Sequence, residues 1–466
     1  MVFSSAIFLL LFLPVVFILN YICRKEFSNA LLLIASLIFY AWGEPYYVIL
    51  MMVSIVINYG IGKAIDKNTG TNRKLFLALG VSCDLLILGY YKYAGFLVAS
   101  INGIAGKELL PVPQIALPIG ISFFTFQAIS YIADVYRGDT ECASKFINVA
   151  LYISFFPQLI AGPIVKYRDI NKQIEDRSIT WIKVSAGFKR FIYGLAKKVL
   201  ISNVLGMCVD TIFSSELSVV DGKAALIGTL AYTFQIYYDF SGYSDMAIGL
   251  GKMFGFDILE NFNYPYLSKS ISEFWRRWHI SLGTWFREYV YIPLGGNRKG
   301  KRRTYINLAV VFLLTGLWHG ADFSFILWGA YHGFFTIVER LGLKKQLDKT
   351  KIISTIYCFI VVCLGWVLFR AQDTLTGFKY IARIVMPWRY SSIGAMPVSD
   401  YADGKTLFIG ICAVIGAGLL KKIVPAQIAE KWSGSVIEAV YCVGLLILCL
   451  ASIASNTYNP FIYFQF

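Results

Sequence analysis

The sequence predicts an all-α, polytopic membrane protein, and three observations carry that prediction. Hydrophobic residues make up 57% of the 466-residue chain against 15% charged, with a mean hydropathy of +0.61. That is well outside the range of soluble domains. Apolar runs long enough to cross or enter a bilayer recur along almost the whole length. The Lys and Arg behind the net charge of +15 cluster between those runs, which is the pattern of a membrane topology and not of a nucleic-acid surface.

Taken in order, the runs place spans near 3–22, 30–42, 46–62, 75–91, 116–133, 146–165, 191–208, 224–250, 305–320, 323–339, 352–369, 405–420 and 436–456. Roughly 11–13 are expected to be membrane helices, with some runs short enough to be re-entrant. The first run has no basic residue ahead of it and is followed by Arg24 and Lys25. It therefore reads as an uncleaved span with its N-terminus external. The segments 62–74 and 343–351 and the pair Lys421-Lys422 read as cytoplasmic, and 43–45 as external. Counting onward from Lys421-Lys422 brings the C-terminus to the external side. Nine cysteines are scattered without a C-x-x-C pair and read as free thiols. "FFPQLIAGPIVKY" at 155–167, with two prolines, reads as a broken helix. "GLGKMFG" has no strand ahead of it, so it is not a phosphate loop.

Residues 256–304 are neither span nor ordinary loop. Ile271, Trp275, Trp278, Leu282, Trp285 and Tyr289 recur at helical spacing, and Ser272, Arg276, His279, Gly283 and Arg287 share the opposite side. That pattern predicts one helix lying in the cytoplasmic interface. Between Lys269 and Arg303 there are nine basic and two acidic residues. The plain reading is a loop obeying the charge rule. The functional one is a face for an anionic partner, such as the phosphates of a nucleotide thioester or an acidic carrier protein.

The three histidines, His279, His319 and His332, fall in one 54-residue window. His319 ends an apolar run, where an ionisable group is costly and imidazole suits proton abstraction from a hydroxyl. Asp322 would orient it if the helix continues through Gly320. His332 reads as structural. Tyr237, Tyr238, Asp239, Ser241, Tyr243, Ser244 and Asp245 put polar groups inside an otherwise apolar segment, which calls for a polar tunnel or an ion pathway.

At this point "YYDFSGYSDMAIGLGKMFGFDILENFNYPYLSKSISEFWRRWHISLGTWFREYVYIPLGGNRKG", "LTGLWHGADFSFILWGAYHG", "LPIGISFFTFQAISYIADVYRGD" and "FFPQLIAGPIVKY" together resemble the membrane-bound O-acyltransferase superfamily. The resemblance covers most of 110–340 and is narrowest to the branch of the alginate O-acetyltransferase membrane subunit. The D-alanyl transferases of teichoic acid share "WHISL" and "WHG" but lack "PLGGNRKG", which favours the acetyl branch. Phe323 stands where the pattern has tryptophan. The resemblance implies one membrane domain over 1–466, with helices around a central funnel. Within it, 110–340 is the motif-rich core, 256–304 the cytoplasmic segment and 459–466 an aromatic tail.

On the same ground His319 matches the family's near-invariant histidine, and His279 the second histidine of the branch. Asp239, Ser241, Tyr243, Asp245 and Asp322 would line the funnel. The donor implied is acetyl-CoA, a substrate and not a resident cofactor, with its phosphates near Arg276, Arg277, Arg287, Asn297 and Arg298. No metal is implied. The family moves an acyl group from a cytoplasmic thioester to an external acceptor, here a cell-surface polysaccharide. It usually does so with an extracytoplasmic partner of the SGNH-hydrolase type, the transferase itself lying in the cytoplasmic membrane. D-Alanyl transfer and, remotely, a transporter through Asp239, Asp245 and the histidines are the rivals.

The chain closes on "NPFIYFQF". Asn459-Pro460 should stop the last helix, and the residues beyond are too apolar for water. By composition an aromatic anchor at the lipid surface is the simpler account. The D-alanyl system has a separate partner whose C-terminal tyrosine relays the acyl group. By that resemblance Tyr463 would be an acyl carrier, its phenolic pKa of about 10 making the aryl ester reactive.

Overall fold

The computed structural model describes residues 1–390, 394–455, 458–460 and 462, and holds no strand among them. Among the described residues five helices are long and apolar enough to cross a membrane: Tyr47–Lys67, Gly70–Ala105, Trp181–Ser214, Lys351–Arg370 and Val436–Ser455. Phe8–Ile22 and Gly404–Leu419 are shorter apolar helices.

Two expected runs come out shorter. The helix expected over 116–133 starts only at Ile121, after Pro118 and a left-handed Gly120 (φ 76°). The run at 146–165 stops at Ser154, turns at Phe155, resumes for one turn over Phe156–Leu159 and has no regular structure over 163–166. A proline at 157 in a continuous helix would push its ring into the carbonyl four residues back and lack a donor, so the helix restarts around it. The sequence "GLGKMFG" ends the helix Gly222–Met253.

The chain packs as two compact units. The first holds Met1–Phe191 and Ser244–Leu259. Its helix Ile121–Arg137 is buried from 121 to 135, and the same unit holds a phenylalanine cluster of Phe12, Phe39 and Phe156 with ring centroids 5.4–5.7 Å apart.

The second unit holds Ile192–Tyr243 and Glu260–Phe466. Its core is tryptophan-rich: Trp278 packs on Phe274 at 5.5 Å and on Trp366 at 4.8 Å, and Trp366 on Trp328 at 5.9 Å. In the same unit the helices Gly300–His319 and Phe323–Val338 pack back to back on glycine. A Cβ at Gly329 would sit 2.3 Å from the Phe312 carbonyl oxygen, and one at Gly316 would sit 2.2 Å from that of Phe325. In lipid, where apolar side chains gain little by leaving their surroundings, such close backbone approach holds helices together. Gly329→Ala is therefore expected to cost about 1–3 kcal/mol by overpacking. Thermal unfolding of the detergent-solubilised protein checks this, and an unchanged midpoint would reject the close packing.

Candidate active site

The predicted interfacial helix is broken at His279. Instead of one helix over 271–289, the second unit has Ile271–Arg277, then Ile280–Phe286, then a wider turn over Arg287–Tyr291. The first starts on Ser270, whose side chain accepts the Glu273 N–H at 3.1 Å, while Glu273 accepts the Lys269 N–H at 2.9 Å. Buried Glu339 adds its carboxylate to the same helix start, taking the Ile271 and Ser272 N–H groups at 2.6 and 3.1 Å.

His279 sits between the two helices in the left-handed region, φ 46° and ψ 54°. For a residue with a Cβ that conformation costs about 1–3 kcal/mol and persists only where neighbours over-determine it. Asn261 does so. Its main-chain oxygen accepts the Ile280 N–H at 2.9 Å, and its Oδ1 accepts from Ser281 N–H and Oγ–H at 3.1 and 2.9 Å. The same Oδ1 lies 3.3 Å from His279 Nδ1. Because Ser281 N–H can only donate, the amide oxygen faces this cluster, and Nδ1, which also lies 3.4 Å from Ser281 Oγ, is the ring nitrogen placed to donate to it. The basic lone pair of His279 is then on Nε2. The side chain is buried, and burial lowers its pKa to about 3.

His279 lines a cavity of about 400 Å³ inside the second unit, together with Arg276, Arg287, Trp275, Phe312 and Thr315. Two of the arginines expected at an anionic donor are thus brought to one histidine. The others go elsewhere. Arg277 pairs with Glu273 at 2.7 Å, and Asn297 and Arg298 are exposed in the turn after Tyr291. The break also explains the fate of the Trp face, since Trp278, one turn from Trp275 on a continuous helix, drops into the core instead.

His319 is the last residue of its helix and is 4% exposed. Its ring lies 4.9 Å from that of Trp318, 5.1 Å from Trp328 and 5.3 Å from Phe369. The helix does not continue through Gly320, whose backbone is extended (φ −160°, ψ 154°). Asp322 is therefore not one turn along from His319. It is exposed and caps the next helix, accepting the Ser324 N–H at 2.7 Å, so it is not a buried funnel residue. Trp318 also lies 6.0 Å from His279, so a shared indole touches both histidine rings. His332 is buried against Trp275 and Trp328, and among the described residues neither ring nitrogen has a hydrogen-bond partner.

The polar stretch divides. Asp245 belongs to the first unit, where it pairs with Arg190 at 2.6 Å. Asp239, Ser241 and Tyr243 are buried in the second. Gly242 touches the helix Trp181–Ser214 closely: a Cβ there would lie 2.8 Å from the Gly194 oxygen. That approach lets Asp239 reach Lys198 at 2.6 Å, with 1% and 4% of the two side chains exposed. Asp239 also accepts the Ile462 N–H at 3.0 Å. Tyr463 lies outside the described residues.

Sequence reasoning missed Asn261 and Lys198. Nothing marks Asn261 in "NFNYPY", because its role depends on a turn formed elsewhere. Lys198 did carry a signal, a cation inside the run 191–208, which lipid tolerates only with a partner.

The sequence profile of the membrane-bound O-acyltransferase family matches residues 142–346. A protein of Pseudomonas putida named "Probable alginate O-acetylase" is 43% identical over the full length of both chains. A peptidoglycan O-acetyltransferase of Helicobacter pylori is 36% identical over 83% of this chain and 80% of its own. A teichoic acid D-alanyltransferase of Bacillus subtilis is 29% identical over 62% and 82% respectively.

Proposed function

This chain belongs to the membrane-bound O-acyltransferase family, and we propose that it transfers acetyl from a cytoplasmic acyl thioester to an external acceptor through His319 and His279. It is a multi-pass membrane protein and a membrane O-acetyltransferase of polysaccharide, a function that its alginate and peptidoglycan relatives support. One observation carries the residue assignment: His279, its tautomer set by Asn261, shares a cavity with Arg276 and Arg287. Those arginines suit the phosphates of acetyl-CoA, since a guanidinium makes paired charge-assisted bonds to phosphate oxygens.

In the proposed chemistry the Tyr463 phenolic oxygen attacks the thioester carbonyl while His319 takes the phenolic proton. The C–O bond forms, the C–S bond breaks and the departing thiolate takes the proton from His319. An acceptor hydroxyl then attacks the aryl ester and the phenol is released. The acceptor step belongs to an extracytoplasmic partner of the SGNH-hydrolase type, while this chain lies in the cytoplasmic membrane with both termini external.

Acyl trapping tests the proposal. The purified protein is incubated with radiolabelled acetyl-CoA and no acceptor, and label is mapped by peptide mass spectrometry. Label on Tyr463 that is lost in Tyr463→Phe and in His319→Gln is expected. Label only from a D-alanyl thioester would move the donor to the sibling chemistry. Full polysaccharide acetylation by Tyr463→Phe would end the relay.

A further inference from the structure

Pro460 and Ile462 are held by their main-chain groups, and what holds them is a buried ion pair. Over 458–460 and at 462 the chain is not α-helical, so its N–H and C=O groups need partners from elsewhere in the protein. Lys198 Nζ donates to the Pro460 carbonyl oxygen, and Asp239 Oδ2 accepts the Ile462 N–H at 3.0 Å. The two side chains pair with each other at 2.6 Å. Further back, Asn203 Nδ2 donates to the Tyr458 oxygen at 3.3 Å, and the Tyr458 hydroxyl donates to Asp210, which also pairs with Arg370 at 2.8 Å.

Lys198, Asn203 and Asp210 lie on one helix, Trp181–Ser214, and the terminal segment runs along it in the reverse direction. Lys198 stands in the wider turn Lys197–Ser202 of that helix, a departure from regular geometry that recurs at functional positions. Gly206 leaves room for the segment, since a Cβ there would lie 2.9 Å from the Tyr458 hydroxyl.

A buried ion pair gains little from charge attraction alone, because desolvation offsets it unless further hydrogen bonds complete both groups. Here the terminal segment supplies such bonds on both sides, a carbonyl for the ammonium and an N–H for the carboxylate. The two main-chain groups are two residues apart, and Pro460 narrows the register. Sliding the chain so that residue 460 faced Asp239 would offer no N–H at all.

We infer that the Lys198–Asp239 pair is a register clamp that holds the terminal segment by its main chain at Pro460 and Ile462. Lys198 and Asp239 are positioning residues. The inference rests on the proposed role of Tyr463 for its purpose but not for its geometry.

The test uses the full-length protein in detergent micelles, digested with carboxypeptidase Y and followed by intact mass. Wild type is expected to resist once digestion reaches Ile462. Lys198→Met and Asp239→Asn, both close in volume to the originals, are expected to release residues from 462 onward at least tenfold faster. Wild-type release rates in both variants would overturn the clamp. A charge swap, Lys198→Asp with Asp239→Lys, separates clamp from strut. It restores the pair but sets like polarity against the carbonyl and the N–H, so fast release is expected to persist. Protection regained in the swap would mean that only the ion pair matters and would overturn the clamp. Should the swap not fold, the two single variants decide alone. Digestion of Tyr463→Phe keeps the proposals apart, because the clamp predicts wild-type protection there even if the relay fails.

Discussion

His319→Gln is expected to lower acyl transfer by about 10²–10⁴-fold, the usual contribution of a positioned general acid or base. Glutamine keeps much of the volume and a hydrogen-bonding head within the ring box of Trp318, Trp328 and Phe369, but it cannot shuttle a proton. The distinction matters because the site is tightly packed, and alanine would leave a cavity and lose stability for reasons unrelated to catalysis. Two measurements belong together: thioester consumption by the purified protein, and its thermal unfolding midpoint. A large loss of turnover with a midpoint near wild type is the expected pair. Turnover within about tenfold of wild type would remove His319 from the proton-transfer role.

The second large effect is expected at His279. His279→Gln should cost about 10²-fold in turnover, again as lost proton transfer, and Asn261→Ala should move in the same direction because it frees both the turn and the tautomer. Burial lowers the His279 pKa to about 3. The imidazole is then neutral, with its Nε2 lone pair available, across about pH 5–8, and the wild-type rate should show no limb from this group in that window.

The same shift sets a stability trend. The unfolded histidine titrates near 6.5, above its folded value, so protonation favours unfolding. The contribution of His279 to stability is complete above about pH 6.5 and is lost progressively as the pH falls toward 3. A pH–rate limb near pH 6–7 that disappears in His279→Gln would contradict the buried, neutral state.

Much of the site was legible because lipid leaves so few options. A histidine at the end of an apolar run and an aspartate inside one must be partnered within the protein, and both His319 and Asp239 were found buried. Arg276 and Arg287 were picked from a helical face and do line one cavity with His279. Arg277 was not separable from them in sequence, since three adjacent basic or aromatic positions on a short helix differ only in which way that helix is aimed. Asp322 was misplaced because helix propensity does not reveal that Gly320 is extended, and an aspartate three residues past a helix end serves equally well as the next cap.

By itself the sequence determined the class of the protein and its family. Composition and period are local, additive signals, and long motifs preserve chemistry residue by residue. Only the tertiary structure decided that the helix of 271–289 breaks at His279, that Asn261 fixes that histidine's protonated nitrogen, and that Lys198 reaches Asp239 and the chain terminus. Each depends on groups 18 to more than 200 residues apart in sequence, such as the Asp239–Ile462 bond with its separation of 223. Such pairings are chosen by the need to satisfy every buried donor and acceptor at once, and no local pattern records that condition.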